Sequence, residues 1–229
     1  MGINMTEESK NLSVAAPEKW MAGWDNWFKK MLEQPDEALA ELGLITPPVQ
    51  VLAGPLHGKT EGLNGIDLAC GHGSSTLFLA KNGVQMEAID ALASAIDVVN
   101  KRANLMKLNE NVNAYQKDID GWDVKPESYD IVIATQCLQY LFDRAIPRLQ
   151  ELAAAVKPGG FLVYSGNVPP HFDLEPPMKF IYQKDLDEIF KGWVYHSKGT
   201  DERLMKPGDL RGYIWLVAQK PDPEKEEKS

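Results

Sequence analysis

From residue 65 onward, short apolar runs alternate with stretches whose apolar positions recur at helical spacing. Ile66–Ala69, Val84–Ile89, Val112–Gln116, Tyr129–Thr135 and Phe161–Ser165 read as strands, and Tyr129–Thr135 is nearly all apolar, as expected of a strand covered on both faces. Between them, Ser74–Lys81, Ala93–Met106 and Arg144–Val156 read as helices, the first ended by Asn82-Gly83. A proline-bearing loop follows, then a helix over Asp185–Phe190 and two last strands, Trp193–His196 and Tyr213–Ala218. Strands alternating with helices predict an α/β fold with a mostly parallel, doubly wound sheet and right-handed crossovers.

Upstream the texture differs. Residues 1–16 read as a flexible polar leader, and Pro17–Leu32 as an amphipathic helix with Pro17 in its first turn. Trp20, Trp24, Trp27, Phe28 and Met31 recur on one face of that helix, a pattern that more often serves packing than ligand binding. Glu37–Leu42 predicts a second short helix, and the prolines and glycines between Gly43 and Gly65 predict a broken loop. Residues 17–60 are therefore expected to form a helical cap, 61–220 the main domain, and 221–229 a disordered acidic tail.

The chain has 229 residues and a formal net charge of −9, which speaks against a general nucleic-acid binder because such a protein needs a basic face. Its two cysteines, Cys70 and Cys137, fall beside strands and are expected to be buried thiols. No run is long and apolar enough to span a bilayer, so a cytoplasmic protein is expected. The start Met1-Gly2-Ile3-Asn4-Met5-Thr6 fits a short myristoylation pattern, but Glu7 and Glu8 supply no basic second anchor.

Ligands of open α/β sheets sit beyond the carboxyl ends of the strands. At that edge the chain reads Asp67-Leu68-Ala69-Cys70-Gly71-His72-Gly73, a glycine turn leading into a helix whose free N–H groups can meet an anionic group. Asp90 ends the second strand, where a carboxylate can accept both hydroxyls of a ribose; Ala91 follows it. Asp118 follows the third strand, where it can accept from an adenine amino group while Ile119 covers the ring. One such acid is ordinarily a turn former; three on one edge of one sheet make a ligand pocket the better reading. A nicotinamide dehydrogenase would want glycine at the third position of its fingerprint, where Thr76 stands.

These residues, together with Ala88-Ile89-Asp90, Lys117-Asp118-Ile119, Tyr129–Ala134 and Lys157-Pro158-Gly159-Gly160-Phe161, resemble class I S-adenosylmethionine-dependent methyltransferases. Gly43-Leu44-Ile45-Thr46, Ser75–Ala80 and Ala145-Ile146-Pro147 look most like the tellurite-resistance type. The resemblance implies a Rossmann-like seven-stranded sheet with the last strand antiparallel. It implies S-adenosyl-L-methionine as cofactor, in a pocket lined by Asp67, Ala69, Cys70, Gly71, Gly73, Asp90, Ala91, Asp118, Ile119 and Gln136. Ala69 replaces the usual first glycine, which cofactor binding should tolerate if φ there is negative. The His-Arg acceptor elements of the tellurite-resistance type have no clear counterpart within 200–211, so tellurite itself is not implied.

The expected acceptor is a small-molecule nucleophile such as a thiol or chalcogen oxyanion, with no nucleic acid, membrane or metal, in a monomer or homodimer. The acceptor wall is expected among Trp24, Trp27, Gln136, Gln139, Tyr140, Asn167 and His171. His72 is expected to be a turn residue rather than a proton carrier. No catalytic residue stands out, which leaves room for a cofactor-binding module without chemistry that serves as a partner subunit.

Overall fold

The computed structural model describes residues 7–43, 45–170 and 178–223, with side chains from Trp20 onward except that of Lys206. His171, Leu44, the start of the leader and the end of the tail lie outside the described residues. In chain order the elements are α1 (Glu7–Leu32), α2 (Asp36–Leu39), α3 (Pro47–Gln50, continued by a 3₁₀ turn, Val51–Ala53), β1 (Asn64–Leu68), α4 (Ser74–Lys81), β2 (Gln85–Asp90), α5 (Ala93–Leu105), β3 (Val112–Gln116), β4 (Tyr129–Thr135), a 3₁₀ stretch (Leu138–Arg144), α6 (Ala145–Ala155), β5 (Val156–Val168), α7 (Gln183–Ile189), β6 (Val194–Lys206) and β7 (Asp209–Gln219).

The seven strands form one sheet in the order β3-β2-β1-β4-β5-β7-β6. β1 to β5 are parallel, and β7 runs antiparallel to both β5 and β6. The order reverses between β1 and β4, so their carboxyl ends flank the crevice where such sheets bind ligands. Ile66, Leu68, Val132 and Ala134 point to the face covered by α6 and α7, while Ile131, Ile133, Val163 and Val217 point to the face covered by α3 and α4. Burial on both faces explains why the central strands carry no apolar-polar alternation.

Three regions depart from expectation. β5 starts at Val156 rather than Phe161 and runs to Val168, because Val156 already pairs with Tyr129 and the strand absorbs the left-handed Gly159 (φ 75°) as an irregularity in the β4–β5 register. The N-terminal helix begins at Glu7, so Pro17 lies inside it rather than in its first turn. The last two strands are far longer than their apolar cores, because β6 and β7 pair as a hairpin from Val194↔Gln219 to Lys206↔Asp209. Paired backbone stabilises such a hairpin even where exposed residues such as Leu204 and Met205 break the apolar pattern.

Candidate cofactor and acceptor site

Strand β1 delivers Asp67 to the sheet edge, 2% exposed, where its Oδ2 accepts a 2.7 Å hydrogen bond from Thr76 Oγ1. This bond ties the end of β1 to the first turn of α4, and it gives Thr76 a job that the glycine fingerprint of a dehydrogenase could not supply. Removal from water raises the Asp67 carboxyl to about 7, and the Thr76 bonds oppose that shift without cancelling it.

The turn between them is built from left-handed backbone. Gly73 caps α4 at φ 74°, and a Cβ there would lie 2.7 Å from Val99 Cγ2, so only glycine fits. Gly71 has φ 54°. Ala69 has φ 49°, which overturns the negative φ on which its tolerance was argued. A left-handed alanine costs about 1–2 kcal/mol, because its Cβ crowds the neighbouring carbonyl. Gln136, after β4, is likewise left-handed at φ 56°, with its N–H donating to Ser165 O at 2.8 Å.

Asp90 is 8% exposed and held by two backbone donors: Gly71 N–H to Oδ2 and Leu92 N–H to Oδ1, each at 3.0 Å. Burial raises its carboxyl above the ordinary range, against the pull of these bonds. Each oxygen keeps a further lone pair, so the group is fixed in place and able to accept two hydroxyl donors. Asp67, Asp90, Cys70 and Gly71 thus share one locality. Asp67 and Asp90 raise the Cys70 thiol further after burial has done most of the work. Cys137 is buried and raised for the same reasons, so both sulfurs are neutral walls.

Asp118 sits at the same edge, exposed, with Oδ1 accepting the Asp120 N–H at 2.9 Å. Ile119 is buried in the core on the α6 face, and Ala91 is half-buried and accepts from Gln116 Nε2 at 2.8 Å. On the acceptor side, Gln139 is buried and donates to Gln136 O at 2.9 Å, while Asn167 is 8% exposed with Nδ2 3.8 Å from Met178 Sδ. Tyr140 meets Trp20 edge to face at 5.0 Å. Trp24 and Trp27 are not the packing face: they are 48% and 41% exposed, with Trp27 tilted on His72 at 5.7 Å. The packing is done by Phe28, 4% exposed, against Ala95 and Val98 of α5, with its ring 3.4 Å from where a Gly71 Cβ would stand.

Arg102, on α5, went unrecognised in the sequence. It is 4% exposed and donates to the carbonyls of Leu39, Glu41 and Leu42 at 3.0, 2.7 and 3.1 Å, to His72 O, and to Ser74 Oγ at 3.2 Å. It staples the cap to the glycine turn through neutral acceptors. His72 lies beside it; burial and then the Arg102 charge lower its basicity, so its neutral Nδ1 accepts from Ser74 N–H at 3.3 Å. The only hint in the sequence is one arginine on the otherwise small and apolar face of Ala95, Val98, Val99 and Ala103.

A methyltransferase domain model matches residues 66–160. The chain carries a class I S-adenosylmethionine-dependent methyltransferase domain. The chain is 27% identical over 165 residues to hemagglutinin 1 of Eikenella corrodens, covering 68% of this chain and 54% of that protein. It is 30% identical over 105 residues to a ubiquinone biosynthesis O-methyltransferase of Coxiella burnetii, covering 46% of this chain and 44% of that protein. Its fold is similar to that of TehB from Haemophilus influenzae, with a TM-score of 0.65 at 20% identity over 86% of this chain and 67% of that one. The chain spans about half the length of the curated relatives it matches. Among the described residues no helix is long and apolar enough to cross a membrane, and no three His, Cys, Asp or Glu gather as a metal ion would need.

Proposed function

We propose that the chain transfers a methyl group from S-adenosylmethionine to a small-molecule nucleophile such as a thiol, a chalcogen oxyanion or a similar metabolite. The observation that carries the reading is Asp90: a buried carboxylate fixed by two backbone donors, with acceptor positions left over, beside a left-handed glycine turn at the switch point of the sheet. The residues fit the cofactor. Asp90 would take its ribose hydroxyls, the turn Ala69–Gly73 would lie along its amino-acid end, and Asp118 would serve the adenine side.

When bound, the cofactor supplies an electrophilic methyl on a sulfonium and a neutral thioether leaving group. The remaining work is positioning. Gln136, braced by Gln139 and Ser165, holds the β4 end on the acceptor side, and the carboxylates of the edge favour a cationic ligand. The cap, with Phe28 on Gly71 and Trp20 on Tyr140, keeps water from that edge. Cys70 and Cys137, both buried free thiols, fit a reducing compartment and so a cytoplasmic protein; a monomer or homodimer is the assembly proposed with it.

Calorimetry with S-adenosylmethionine and S-adenosylhomocysteine tests the pocket: micromolar binding is expected, weakened at least tenfold in Asp90→Ala. No binding of either ligand at millimolar concentration would end the reading. A cofactor-binding module without chemistry is the second reading, favoured by the neutral, fully engaged His72 and the raised thiols beside the turn. Methylated product from labelled cofactor across a panel of thiols, oxyanions and phenols would dispose of it.

A further inference from the structure

A second cavity, of about 270 Å³, opens between the Pro47–Ala53 segment and the outward half of the sheet. It shares one residue with the cofactor side, Gln136. Its floor follows from strand register: Ser165 of β5 lies opposite Trp215 of β7, which lies opposite Gly199 of β6. With only hydrogen at Gly199, the Trp215 ring lies directly over that backbone, since a Cβ there would come within 2.8 Å of Cζ2. The indole N–H is anchored on Ser197 Oγ at 3.0 Å, which fixes the ring in its plane. Tyr213, next on the same face, is stacked by the Arg203 guanidinium at 5.1 Å. The roof is Pro47, Pro48 and Val51, rigid and apolar.

We infer that this cavity is the acceptor subsite and that it takes a small planar aromatic molecule with its hydroxyl turned toward Gln136 and Ser165. Flat aromatic surfaces below and proline rings above make a slot that rewards a ring lying parallel to its walls. At the end shared with the cofactor side the Gln136 amide lies 3.5 Å from Ser165 Oγ, so a hydroxyl placed there meets both a donor and an acceptor, whereas Ser197 Oγ and Arg203 are engaged by Trp215 and Asp201. The volume suits one substituted ring and is below the roughly 300–1,000 Å³ of pockets for larger ligands. A compact, highly charged oxyanion suits it poorly. Arg203 is the single charged residue in the lining, and it is engaged by Asp201 at 3.1 Å as well as by Tyr213.

The word acceptor rests on the methyltransferase reading; occupancy of the slot does not. Catechol, 4-hydroxybenzoate and 8-hydroxyquinoline are titrated calorimetrically into the full chain, alone and with saturating S-adenosylhomocysteine, with cyclohexane-1,2-diol and selenite as controls. At least one aromatic should bind in the micromolar range and at least tenfold more tightly than either control. Val51→Trp, which fills the slot from the roof without altering any sheet residue, should weaken it at least tenfold and leave S-adenosylhomocysteine affinity within twofold. Trp215→Leu should do the same; if it fails to fold, Val51→Trp carries the test. Failure of all three aromatics to bind, equal binding of the diol, or aromatic binding untouched by Val51→Trp overturns the inference. Aromatic binding that responds to these variants while S-adenosylhomocysteine does not bind would keep the slot and sink the methyltransferase reading alone.

Discussion

At the scale of single residues, the domain holds its ligand edge by conformations that cost stability. Ala69 is the clearest case, an L-residue at φ 49° where glycine would be at ease. Ala69→Gly should stabilise the chain by about 0.5–1 kcal/mol, net of the extra freedom glycine has when unfolded. For a chain this size that is a rise in melting temperature of about 1–4 °C, checked by differential scanning calorimetry. An unchanged or lower temperature would show that the backbone at 69 is not left-handed. Arg102 is the opposite case, a residue whose removal leaves damage behind. Arg102→Met should destabilise by about 2–4 kcal/mol, because buried carbonyls of Leu39 and His72 lose their donor. Limited proteolysis should then cut first between α2 and α3. Arg102→Lys should rescue little, since an ammonium lacks the fork that reaches carbonyls on both the cap and the turn.

At the scale of elements, the part of α1 whose side chains are described is attached chiefly through Phe28 in its α5 socket, flanked by Met31 and Leu32, with Asp25 accepting from Ser94 Oγ at 2.6 Å, Lys101 Nζ donating to Leu32 O at 3.4 Å, and the ring contacts of Trp20 and Trp27. Phe28→Ala should therefore release the helix rather than unfold the sheet. Hydrogen exchange is expected to quicken at least tenfold along the C-terminal half of α1 while β1 and β4 stay protected; equal loss in both would mean that α1 is part of one cooperative core. The alternating elements from β1 to α6 were legible in the sequence because both the apolar runs and punctuation such as Asn82-Gly83 are local signals, whereas Pro158-Gly159-Gly160, which reads as a turn, lies inside β5. So was the acid at each strand end. The β6–β7 hairpin was legible only at its apolar cores, since pairing, not pattern, extends it to Lys206 and Asp209. The aromatic stripe of α1 showed the right face but the wrong rings: Phe28 is inside and Trp24 outside, a choice made by the shape of α5 and Gly71, which no periodicity in α1 encodes. Arg102 was illegible because its partners are carbonyls brought together by the fold.

At the scale of the whole molecule, the buried acid of the ligand edge sets how folding stability responds to pH. Asp67 titrates near 7 when folded and near 3.9 in an unfolded chain. Between those values the native state binds more protons than the unfolded state, so stability falls as pH rises. Below about 4 both states are protonated and the group contributes nothing; above about 7 the full cost of the buried charge is present, on the order of 4 kcal/mol for a shift of this size. Asp67→Asn keeps the shape, leaves a carbonyl to accept from Thr76, and cannot ionise. Acids that do not interact with Asp67 titrate in both proteins and cancel in the difference; Asp90, whose charge helps push Asp67 up, is relieved by Asp67→Asn and adds to the change in the same direction. The stability of Asp67→Asn minus that of the parent, measured by urea unfolding, should climb steadily from pH 4.5 to pH 7.5 and level off by pH 8.5. A difference that stays flat across that range would mean Asp67 is ionised at no cost, hence hydrated, and that the end of β1 is open to water rather than sealed by Thr76 and α4.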